Sequence, residues 1–101
     1  MFDGTQSGEQ ERPIVVTRRV FNTGKEMLAE VEAGSEGPAF ENAREKAAQC
    51  RAAADRIGAA FWEDVFNYLM EREAAGAGTE IVILEEGESY DFETGKIVRK
   101  A

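Results

Sequence analysis

The sequence predicts an α+β domain: a small antiparallel or mixed sheet of three to four strands packed on a long helix or helical hairpin, in the order β-α-α(α)-β-β-β. Three observations carry this prediction. Residues 38–73 hold apolar side chains at helical spacing, with Phe40, Ala43, Ala47, Cys50, Ala54, Ile57 and Phe61 separated by alternating steps of three and four. Beyond Gly76 and Gly78, short β-branched stretches alternate with turn residues. A further β-branched stretch, residues 14–21, precedes the helices.

In chain order, residues 1–12 are polar, contain Gly4 and Gly8, and show no period. They read as a disordered tail, which leaves residues 13–101 as a single domain. Pro13 opens a first strand, Ile14 to Phe21, at a position that proline tolerates. Thr23 and Glu26 match a capping box, so a short helix with Met27, Leu28 and Val31 on one side follows and stops at Gly34. Gly37-Pro38 opens the long helical run, with proline at or near its first position.

A continuous helix over residues 38–73 would be about 54 Å long. The alternative is a break at Ala54-Asp55, where Asp55 is a good N-cap and Gly58 weakens continuity. The fifteen residues Ala48 to Trp62, AQCRAAADRIGAAFW, resemble the junction between successive tetratricopeptide-type helices, with Ala54 in place of the usual glycine. The resemblance is local and occurs once, whereas a solenoid needs about three repeats or more; it implies a helical hairpin. In a hairpin, the alanine half finds a close neighbour in the aromatic half. In a continuous helix, the Ala43–Ala54 stripe would seek a second copy of the chain.

After the glycines, Glu80 to Leu84 is apolar on both faces, as a central strand would be. Residues 85–88 form a turn, and Tyr90 and Phe92 alternate in the next strand. Glu93-Thr94-Gly95 is a three-residue hairpin connection with Gly95 free to adopt positive φ, and residues 96–99 return. The C-terminal region thus reads as a three-stranded meander that the first strand can join.

Composition narrows function. The net charge is −8, and between Glu63 and Glu93 ten acidic side chains face a single base, Arg72. The rest of the chain sums to +1. Such acidity disfavours direct nucleic-acid binding, which needs a dense basic surface. It also keeps a small domain soluble, and it allows a basic protein partner. No apolar stretch approaches the ~20 residues of a membrane span, and the N-terminus lacks a signal-peptide pattern. With one cysteine, the chain reads as cytoplasmic.

No cofactor or metal site is legible, and the chain does not read as an enzyme. Histidine is absent, so the commonest general base and the usual activation of a serine or cysteine nucleophile are missing. Cys50 lies on the alanine face as a small apolar residue. One cysteine cannot supply a structural zinc site. Asp91 to Gly95 lacks the ligand spacing of a calcium loop, and Thr23-Gly24-Lys25 and Thr94-Gly95-Lys96 lack the remainder of a phosphate-binding loop.

The functional expectation is therefore a small acidic noncatalytic protein-interaction or assembly module, homodimeric. Its partner would be a second copy or a basic protein. The alternative is an acidic inhibitor or antitoxin-like protein, phage-encoded and nucleic-acid-mimicking, that binds a basic site on a nuclease or DNA-binding protein. Trp62, Phe66 and Met70 form a ridge at i, i+4, i+8, suited to a partner contact in which Trp, Phe and Met are enriched. Glu63, Asp64 and Glu71 flank that ridge, and Glu85 and Glu86 add charge for a basic partner.

Overall fold

The structure, a computed structural model, describes residues 12–76 and 78–99. Strand β1 (Ile14–Thr17) leads directly into helix α1 (Arg18–Glu32), followed by α2 (Ala39–Ala52) and α3 (Arg56–Ala75). Strands β2 (Ile81–Leu84), β3 (Glu88–Asp91) and β4 (Lys96–Arg99) complete the chain. The α+β class agrees with the sequence, with three helices between the first strand and the other three. The expected tail, residues 1–12, lies outside the described residues except for Arg12.

The single sheet of three to four strands is corrected to two sheets of two strands each. β1 pairs with β2 in parallel, Ile14 opposite Ile81, and β3 pairs with β4 antiparallel, Glu88 opposite Arg99. A parallel pair needs a long crossover, and the three helices supply it. β2 pairs with β1 alone, and the turn at residues 85–87 leads to a separate hairpin rather than a meander. That turn is closed by Glu88 N–H to the Glu85 carbonyl at 3.0 Å and by Glu85 N–H to the Glu88 carboxylate at 2.8 Å.

The first strand is also shorter than expected. It ends at Thr17, whose side-chain oxygen accepts the Val20 N–H at 3.3 Å and caps α1. The capping box at Thr23 and Glu26 is therefore corrected: both residues lie inside α1. Val20, Gly24 and Met27 then form its buried face, at the spacing of a helix rather than a strand. α1 ends as expected at Gly34 (φ 119°), where Ser35 N–H bonds the Glu30 carbonyl and Gly34 N–H bonds that of Val31. This is a Schellman cap.

The long run is a hairpin. Asp55 N–H bonds the Cys50 carbonyl at 2.8 Å and Ala54 N–H bonds that of Arg51 at 3.0 Å, a second Schellman cap. Ala54 (φ 60°) occupies the left-handed position, and the Asp55 carboxylate accepts the Gly58 N–H at 2.9 Å to start α3. Gly58 also admits a close approach: a β-carbon there would lie 2.9 Å from the Cys50 sulfur. The break resets the helical phase, so Ile57, grouped with the apolar stripe by spacing, is 86% exposed. Ala43 and Ala47 are fully buried within the chain, which supplies the close neighbour that a continuous helix would have had to find elsewhere.

The core lies where α1, α2 and β1 converge on α3. Val65, Tyr68 and Leu69 pack with Ile14, Val16, Val20, Met27, Ala39 and Ala43. α1 comes close to α3 at Gly24, where a β-carbon would sit 2.6 Å from the Tyr68 ring. Phe21 packs tilted against that ring, with centroids 6.1 Å apart.

Candidate functional site

The eight residues proposed from sequence occupy three places. Trp62 and Phe66 are half-buried on the side of α3 that meets α2: Phe66 meets Phe40 edge-on at 6.4 Å, and the Lys46 ammonium lies 5.9 Å from the Trp62 ring. Met70 stays exposed, and Glu63 pairs with Arg51 across the helical hairpin. Asp64 and Glu71 lie on another side of α3, facing β1. Glu85 and Glu86 sit at the C-terminal end of β2, where they share a hollow with Asp64.

The second of these places has the most defined geometry. The Ile14 N–H bonds the Glu80 carbonyl at 2.9 Å, so in a parallel ladder Ile14 and Val16 direct their main-chain groups toward β2. Val15 directs both of its main-chain groups, and Thr17 its N–H, to the opposite edge, and among the described residues no strand pairs with that edge; the Thr17 carbonyl belongs to the start of α1. A groove of about 260 Å³ runs beside it, with Val15, Val16, Thr17 and Val20 on one side and Asp64, Asn67, Tyr68 and Glu71 on the other. The groove continues past Val15 and Glu71 into a wider one reaching Pro13, Arg12 and Phe92. There the Arg12 guanidinium lies 5.6 Å from the Phe92 ring.

At its other end the groove meets the hollow formed by Thr17, Arg19, Phe61, Asp64 and residues 84–88. Arg18 closes part of that hollow with a two-nitrogen contact on one Glu85 oxygen, at 2.6 and 3.1 Å. The hydrogen bond from Arg18 holds the Glu85 carboxyl below the usual carboxylate range, and Glu85 in turn raises the Arg18 guanidinium. Arg19 lies over the Phe61 ring at 4.7 Å. Glu86 has no ion-pair partner among the described residues.

These surfaces are open, and no polar or charged residue is buried among the described residues. Solvated carboxylates beside unpaired main-chain groups can hold cations and N–H donors by charge and hydrogen bonding. Among the described residues no group of three or more potential ligands is placed to hold a metal ion, and no helix is long and apolar enough to cross a membrane. No family model, curated protein or solved structure matches the chain.

Sequence reasoning named Asp64 and Glu71 but missed Val15, Asn67 and Phe92 as their neighbours. Asp64, Asn67 and Glu71 stand at i, i+3, i+7, a legible polar stripe. Its position against β1 depends on the parallel pairing of β1 with β2, which sequence periodicity does not encode.

Proposed function

We propose that the chain is a small acidic noncatalytic protein-interaction module that works as a homodimer joined through the β3–β4 hairpin. The exposure of the hairpin's apolar side chains supports this reading. Phe92 is 56% exposed, Val98 48% and Ile97 47%, whereas Trp62 and Phe66 of the sequence-proposed ridge are half-buried. A two-stranded hairpin is marginal in water unless a further surface covers it. Tyr90 lies opposite Ile97, and its ring meets Phe92 edge-on at 4.9 Å, so these three residues form a small apolar cluster. Two copies facing each other through this cluster would form an isologous contact. Sedimentation or light scattering of wild type and Ile97→Glu checks this reading: the expectation is a dimer and a monomer respectively. A wild-type monomer at about 1 mM, the millimolar limit of weak association, would exclude the dimer.

A second reading, an acidic inhibitor of a basic protein, is favoured by Asp64 and Glu71 lining the open groove beside β1. Its test is binding to a basic protein partner across a salt series. Affinity should fall as salt rises, and indifference to salt would count against charge recognition.

A further inference from the structure

We infer that the edge of β1 left unpaired among the described residues takes an extended, lysine- or arginine-bearing segment of another protein, which adds as a strand in the groove between β1 and α3. This inference rests on reading the chain as an interaction module; the groove shares only Phe92 with the hairpin surface of the proposed dimer. Three features carry it. The Val15 N–H and carbonyl and the Thr17 N–H point away from β2, and strand edges of this kind are templates for a further strand. The groove beside them extends past both ends of the strand, from Phe92 to Val20. With Arg12 and Pro13, β1 spans about 20 Å, room for an extended segment of about six residues.

The third feature is charge. Asp64 and Glu71 line the α3 wall, and Arg12 is the one base lining either groove. A basic strand satisfies both carboxylates, whereas the chain's own residues 1–11 carry Asp3, Glu9 and Glu11 and no base. A second copy carries −8 overall, and its basic strand, β4 (Lys96–Arg99), is already held by β3. Charge complementarity therefore selects a foreign basic strand over the chain's own N-terminal segment and over a second copy.

The probe is a fluorescein-labelled octapeptide of alternating lysine and valine, titrated into the full chain at low salt. Glutamate-for-lysine and backbone N-methylated versions serve as controls. The lysine peptide should bind and shift the amide resonances of Val15, Thr17, Asn67 and Glu71, while both controls should not bind. Val15→Pro removes the outward N–H without touching the β1–β2 ladder, because proline is tolerated on the free side of an edge strand. It should weaken binding about tenfold, as should the pair Asp64→Lys with Glu71→Lys.

Binding unaffected by N-methylation and by Val15→Pro would overturn the inference, as would resonance shifts confined to the hairpin or to residues 84–88. Absence of binding at about 1 mM peptide would do the same. Protection of the Val15 amide in the free protein would also overturn it: protection lost on deleting residues 1–11 assigns the edge to the chain's own segment, and protection rising with protein concentration assigns it to a second copy. Oligomeric state is read on the same samples, so the dimer and the strand-binding edge fail separately.

Discussion

Ala54 carries a backbone cost that glycine would not. At φ 60° its β-carbon crowds the following carbonyl, at about 1 kcal/mol or slightly more, while glycine's greater freedom in the unfolded chain offsets part of the gain. Ala54→Gly should therefore stabilise by about 0.5–1 kcal/mol, raising Tm by a few degrees in calorimetry. Gly24 presents the opposite case. Alanine there gains about 1 kcal/mol of helix propensity, but its β-carbon would lie 2.6 and 2.8 Å from two carbons of the Tyr68 ring. Tyr68 is 2% exposed and packed against Phe21 and Leu69, so it has little room to yield. Overpacking at about 1–3 kcal/mol should win, and Gly24→Ala should lower Tm. A rise would mean that the α1–α3 crossing relaxes.

Among the elements, the junction of β1 and α1 with the end of β2 is joined by charge. The Arg18 guanidinium bonds Glu85, whose folded-state pKa lies below its unfolded value. Its stabilising contribution is complete above the ordinary glutamate range, about 4.3, and is lost as pH falls through the lowered value. Urea midpoints of wild type and Glu85→Gln should differ at pH 7 and converge once the pH falls below the lowered value. High salt at pH 7 should narrow the gap because both partners are exposed. A difference that does not narrow as the pH falls would assign Glu85 a role other than pairing. How legible each element was follows from how local its cause is. The helical hairpin could be read because Asp55 and Gly58 act within one turn of each other. The start of α1 could not, because Val20 and Phe21 suit a strand as well as a helix and Thr17 decides between them. The partition into two sheets depends on Ile14 meeting Ile81 across three helices, a contact that no local pattern announces. The candidate groove inherits that difficulty: its acidic wall was visible on α3, and the strand edge it faces was not.

At the scale of the whole molecule, stability is unevenly distributed. Val65, Tyr68 and Leu69 lie at the centre of the only core among the described residues, contacted by α1, α2 and β1. The β3–β4 hairpin stands outside that cluster, and all four residues of β4 are exposed. Its internal ties are the ladder, the Arg99–Glu88 pair at 3.0 Å and the turn in which Gly95 N–H bonds the Asp91 carbonyl at 2.7 Å. The turn holds four residues, Phe92 to Gly95, so Phe92 leaves the strand assigned to it by alternation and lies in the turn, with its ring against Tyr90. Exposed ladders with few apolar contacts open locally, at free energies well below the global value. Hydrogen exchange should therefore resolve two classes of amide in dilute solution: Val65, Tyr68 and Leu69 exchanging by global unfolding, and Tyr90, Ile97 and Arg99 exchanging faster. If two copies join through the hairpin, mass action stabilises the folded hairpin against both local opening and global unfolding. Raising the protein concentration should then slow exchange at Ile97 and Val98, and by the same linkage at the α3 amides that open only globally. Hairpin rates independent of concentration would mean that the apolar cluster at Tyr90, Phe92 and Ile97 remains uncovered, and the second copy would lose its place at this surface.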